Sequence, residues 1–140
     1  FKLGKFINMT QLVISSNTHF ANDSDITGDI QILQFLQNLE VILIKNSNNI
    51  FGNISSLSSL NKLRDLILIN TNITGNIKNF SSLHKLNTIT LENLRIYGNI
   101  SSLQNLNNLN DIHIKNTNIS DLPGCIYQNN FKWDKWTHIF

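Results

Sequence analysis

The sequence predicts an α/β solenoid, a coil in which short parallel strands alternate with helical or irregular return paths. Two observations carry that expectation. The motif I-x-G-x-I recurs four times, at residues 26–30, 50–54, 73–77 and 96–100, and its glycines Gly28, Gly52, Gly75 and Gly98 lie 24, 23 and 23 residues apart. Between motifs the apolar side chains run three apart and then two apart, as in Ile54, Leu57, Leu60, Leu63, Leu66, Leu68 and again in Ile77, Phe80, Leu83, Leu86, Ile89, Leu91. Internal periods of this length mark stacked repeats, because one turn alone cannot bury its apolar edge.

Each part of the turn follows from its spacing. Residues two apart on one face need extended backbone, so Leu66-Ile67-Leu68 and its counterparts are predicted strands. Residues three apart suit a 3₁₀-like path with one inward side chain per turn. A long amphipathic helix would be weakened by a glycine in every period. Leu3, Phe6, Met9, Leu12 and Ile14 repeat the spacing, which makes Gln11–Ile14 the first strand. Leu12 and Ile26 are 14 positions apart where Leu66 and Ile73 are 7 apart, so a seven-residue inserted loop falls at His19–Asp25. The expected organisation is a first repeat with an inserted loop (1–25), repeats of about 23 residues (26–122) and an aromatic C-terminal cap (123–140). The cap holds Tyr127, Phe131, Trp133, Trp136 and Phe140, bulky enough to close the open end of a stack.

These residues resemble the leucine-rich repeat family, and within it the plant-type subclass, whose consensus joins L-x-x-L-x-L-x-x-N-x-L to a following T-G-x-I-P. The stretch from Leu63 through Leu66, Leu68, Thr71, Ile73, Thr74 and Gly75 to Ile77 matches it closely, and the likeness covers about residues 3 to 122. The resemblance implies a curved right-handed coil with a parallel sheet on its concave face, short second strands at I-x-G-x-I and a mostly irregular or 3₁₀ convex side. It also implies binding of protein, peptide or carbohydrate rather than catalysis. At the usual Asn position this chain carries Asn17, Ser47, Thr71, Leu94 and Thr117, so hydroxyls are expected to replace most of the buried amide ladder.

Strand positions flanking the buried pair point to the concave side. One such column holds Val13, Leu43, Ile67, Thr90 and His113, and its aliphatic half reads as an apolar binding patch flanked by polar residues. Another holds Asn46, Asn70, Asn93 and Asn116, whose carboxamides either bond from turn to turn or face a ligand. Together these are the candidate ligand-binding residues.

Composition removes several function classes. Charged residues make up 14% of the 140, against roughly 25% in an average domain. The net charge of +2 is scattered singly, so no basic stripe announces a nucleic acid. No apolar run reaches the ~20 residues of a membrane helix, so no membrane insertion is expected in this segment. Cys125 is the single cysteine, which excludes an internal disulfide framework. His19, His84, His113 and His138 sit in different turns, none beside a nucleophile and an orienting acid, so no enzyme is expected. Asp23 and Asp25 lack the other oxygen ligands of a calcium loop, so no metal and no cofactor is expected. The chain opens on Phe1 without a start Met or a signal-peptide apolar stretch, which reads as a processed chain or a fragment.

The sugar-acceptor motif N-x-S/T occurs at Asn8, Asn22, Asn53, Asn72, Asn79, Asn99 and Asn118, all at positions the register places outside the core. That points to a secreted or cell-surface glycoprotein, with a cytoplasmic location as the alternative. The function expected is non-catalytic extracellular recognition or adhesion, with a protein or carbohydrate ligand held on the concave face and the inserted loop. The competing expectation is self-association into a filament, sheath or surface coat.

Overall fold

The computed structural model describes residues 6–16 and 26–120; the inserted loop, with Asn22, and the aromatic cap lie outside the described residues. In chain order the strands are β1 (Gln11–Ser15), β2 (Gly28–Asp29), β3 (Val41–Asn53), β4 (Asp65–Asn76), β5 (Thr88–Glu92), β6 (Arg95–Asn99), β7 (Asp111–Lys115) and β8 (Asn118–Ser120). The main sheet runs β1-β3-β4-β5-β7, parallel throughout, with one strand from each turn. Short 3₁₀ helices follow the motif glycines at Ile30–Phe35, Ile54–Leu57, Ile77–Phe80 and Ile100–Leu103. Among the described residues every helical segment is 3₁₀, so the α part of the expected class is realised only in its tighter form.

The three-apart spacing is a hydrogen-bond pattern. The amide of Leu60 donates to Leu57 O (3.0 Å) and that of Leu63 to Leu60 O (2.9 Å); Leu83 and Leu86 repeat this onto Phe80 O and Leu83 O. Each inward side chain is thus one tight turn beyond the last, which aims all of them at the interior. Leu60, Leu63, Leu83 and Leu86 are fully buried, as are Ile42, Leu66, Leu68, Ile89 and Leu91 from the strands. Full burial of one such side chain stabilises by about 1.5–3 kcal/mol, and every turn needs its neighbours to achieve it. Carbonyls at the strand entrances tie the turns together: Glu40 O accepts from both Arg64 N (2.7 Å) and Asp65 N (3.1 Å) of the next turn.

The second strands differ from expectation in two ways. In the middle turns they are not separate, because β3 and β4 run unbroken from the first strand into the I-x-G motif. At the corner Ser47 pairs with Thr71, and both side chains are buried. Ser47 Oγ donates to Lys45 O (2.9 Å), and Thr71 Oγ1 accepts from Ile73 N at 3.4 Å. These bonds are local, so the hydroxyls form no turn-to-turn ladder in place of the buried amides. The strand divides at Leu94 into β5 and β6 and again at Thr117 into β7 and β8, although Thr117 Oγ1 accepts from Ile119 N at 3.4 Å as Thr71 does from Ile73 N.

The second difference is an offset. The first strands pair equivalent residues, Leu43 with Ile67 and Ile67 with Thr90. The second strands pair each motif glycine with the first isoleucine of the next motif: Gly28 with Ile50, Gly52 with Ile73, Gly75 with Ile96 and Gly98 with Ile119. Equivalent positions are therefore displaced by two residues at every turn on that side.

Candidate functional site

The first-strand register builds the proposed surface residue by residue. Val13, Leu43, Ile67, Thr90 and His113 are consecutive pairing partners across β1, β3, β4, β5 and β7, so they form one continuous column. Val13 is 62% exposed, while Leu43, Ile67, Thr90 and His113 are half-buried by their neighbours. Val41 and Ile69 flank the column on β3 and β4 and widen its aliphatic part. Toward β7 the surface turns polar: Glu92 Oε1 lies 3.5 Å from Lys115 Nζ, and Glu92 Oε2 lies 3.9 Å from His113 Nε2.

The asparagine column has a structural task. Asn46, Asn70, Asn93 and Asn116 all adopt the left-handed conformation, with φ between 51° and 54°. Asn tolerates this backbone better than other residues bearing a β-carbon, and it supplies the corner that turns the chain off the main sheet. Their side chains form a ladder: Asn70 Nδ2 donates to Asn46 Oδ1 (2.6 Å), Asn93 Nδ2 to Asn70 Oδ1 (2.5 Å) and Asn116 Nδ2 to Asn93 Oδ1 (2.7 Å). Each inner member still keeps one N–H and one lone pair for other partners.

The sugar-acceptor residues divide by what their carboxamides do. Asn53 and Asn99 cap 3₁₀ helices, their Oδ1 atoms accepting from Ser55 N (2.9 Å) and Ser101 N (2.8 Å). Asp29 and Asn76 do the same in their turns, so the residue after each motif glycine is a cap. Asn72 Nδ2 donates to Asn48 O (2.6 Å), and Asn79 Nδ2 to Asn76 O (3.0 Å). Asn8 and Asn118 are exposed, and no side-chain bond holds either.

Two of the concavities formed by the described residues bear on these surfaces. The larger, about 910 Å³, is apolar and opens at the first-turn end of the core, between Met9, Leu12 and Ile14 on one side and Ile30, Leu33 and Phe35 on the other. The smaller, about 400 Å³, is polar and lies at the corner between Asn46, Asn70 and Asn93 and the outer residues Asn48, Asn72 and Arg95. Of the three outer residues, Asn72 was a candidate only as a sugar acceptor, and Asn48 and Arg95 were not candidates on sequence. Their signal was the odd member in each aligned turn: Asn48 belongs to the 24-residue turn, and Arg95 stands where the adjacent turns hold Asn72 and Asn118. Among the described residues no three His, Cys, Asp or Glu side chains gather into a metal-binding group.

No family model matches the sequence, and no curated protein matches it. Solved structures do. The structure of PEPR1 with AtPEP1 superposes with a TM-score of 0.70 at 25% identity, covering 86% of this chain and 17% of that one. The leucine-rich repeat ectodomain of the receptor kinase SOBIR1 from Arabidopsis thaliana gives 0.62 at 20% identity, over 80% of this chain and 72% of that one. The plant peptide hormone receptor RGFR1 in complex with RGF2 gives 0.55 at 16% identity, over 92% of this chain and 24% of that one. This chain is a leucine-rich repeat solenoid. It resembles the plant-type ectodomains, and it spans about a sixth of the length of the PEPR1 chain it matches. Among its described residues no helix of the solenoid is long and apolar enough to cross a membrane.

Proposed function

We propose that this solenoid is a non-catalytic extracellular recognition module that holds a protein ligand against its main sheet. The observation that carries the reading is the column Val13-Leu43-Ile67, an aliphatic strip on a rigid sheet, next to the polar Thr90 and His113. A contiguous apolar patch with a polar margin is the usual chemistry of a protein-binding surface. The likeness to PEPR1 and RGFR1, each solved with its named ligand, supports a protein or peptide over a carbohydrate on this face. The extracellular setting draws support from the likeness to a receptor-kinase ectodomain and from the seven sugar-acceptor motifs.

The test is paired substitution. Leu43→Asp with Ile67→Asp places two carboxylates in the strip without touching the fully buried Ile42, Ile44, Leu66 or Leu68. Ligand capture should fall at least tenfold while the circular dichroism spectrum is retained. Unchanged capture by a folded double variant would mean that the main sheet is not the binding face. Light scattering separates the competing reading of a filament or coat, because a recognition module remains small at high concentration.

A further inference from the structure

The polar groove at the corner lies apart from the main-sheet strip and is lined by different chemistry. Its walls are the ladder residues Asn46, Asn70 and Asn93 on one side and Asn48, Asn72 and Arg95 on the other, with Thr71 between them. Asn48 reaches the groove because β3 carries an irregularity here, the register to β4 shifting between Ser47 and Phe51. Asn72 Nδ2 donates to Asn48 O at 2.6 Å and fixes the outer wall. The ladder bonds fix the inner one.

Donors outnumber acceptors in this space. Asn70 and Asn93 each retain one free N–H after their ladder bonds, Asn72 retains one beside its bond to Asn48, and Arg95 brings five. The Arg95 guanidinium pairs with no described residue, and no carboxylate lines the groove. The nearby Glu92 is engaged by Lys115 and His113 on the other side of the corner. An unpaired cation among carboxamides fits a ligand rich in acceptors and carrying a planar anion, which a guanidinium grips bidentately. An apolar side chain of a peptide would find no apolar wall here, whereas sugar hydroxyls match carboxamides both as donors and as acceptors.

We infer that the groove between Asn70 and Arg95 binds a uronate-bearing oligosaccharide, with its carboxylate on Arg95 and its hydroxyls along the asparagine rows. The experiment titrates the full chain, made in a bacterial host so that Asn72 carries no sugar, with a tetramer of galacturonate. Tetragalactose and tetraglutamate serve as the neutral and the peptide counterparts. Tetragalacturonate should bind at least tenfold more tightly than either. Arg95→Gln should remove at least a factor of ten, and Arg95→Lys should fall between. In a nitrogen-15 spectrum the side-chain amides of Asn70, Asn72 and Asn93 should shift on titration. Absence of tetragalacturonate binding, equal binding of tetraglutamate, or full affinity in folded Arg95→Gln would each overturn the assignment.

Discussion

The carboxamide oxygen of Asn53 stands 2.7 Å from the place a β-carbon on Gly75 would occupy. Asp29 bears the same relation to Gly52, and Asn76 to Gly98, so each turn's helix cap fills the space left by the glycine of the next. These three glycines also have positive φ, 123°, 134° and 111°, which a side chain disfavours in any surroundings. Gly28 is different: no described residue lies within 4 Å of its β-carbon position, and its φ is not positive.

Gly75→Ala is therefore expected to destabilise by about 2 kcal/mol or more, through backbone strain and displacement of the Asn53 cap. Gly28→Ala should be neutral or stabilise by up to about 1 kcal/mol. Urea denaturation of the two variants side by side measures the difference, and equal effects would contradict the interlock.

The asparagine ladder separates into a conformational and a bonding contribution. Asn70→Gly keeps the left-handed corner but deletes the bonds to Asn46 and Asn93, whereas Asn70→Ala loses both. The glycine variant should lose about 1–2 kcal/mol for the two bonds. The alanine variant should lose about 1 kcal/mol more. Thermal unfolding of both variants tests the order.

Phe80 is fully buried at a position held by Leu33, Leu57 and Leu103 in the other turns. Phe80→Ala should cost about 3–5 kcal/mol, the penalty for an aromatic cavity. Phe80→Leu, which restores the residue of its neighbours, should cost far less. Denaturant midpoints at equal slope give both values.

Glycan occupancy should follow the carboxamide bonds. In a secreting eukaryotic host, Asn8 and Asn118, exposed and without side-chain bonds, should be modified first. The caps Asn53 and Asn99 and the bonded Asn72 and Asn79 should be modified less. Peptide mapping by mass spectrometry before and after glycosidase treatment reads the order directly.

The main sheet was open to sequence reading because its register is pure repetition. The column from Val13 to His113 follows from aligning the turns, and the strands pair it that way. The three-apart leucines likewise translate directly into tight turns. What escaped was chemistry between turns. The Asx residue after every motif glycine is visible in the string, yet its action on the following turn's glycine depends on a two-residue slip that spacing alone does not encode. Asn46, Asn70, Asn93 and Asn116 were singled out as a column, but their left-handed backbone emerges only with the corner. The groove needed both at once, since Arg95 meets the ladder across that corner.

The slip has one more outcome. Along the main sheet, equivalent atoms of adjacent turns are separated by about 4.8 Å, the distance between paired strands. On the motif side the same step adds two residues of extended chain, or about 6.6 Å, along the strand direction. A rigid unit whose two edges advance by unequal vectors has been rotated as well as translated, so the array winds as it grows. Any partner that reaches across several strands must follow that winding, and the glycines, by admitting the slip, set the pitch it has to match.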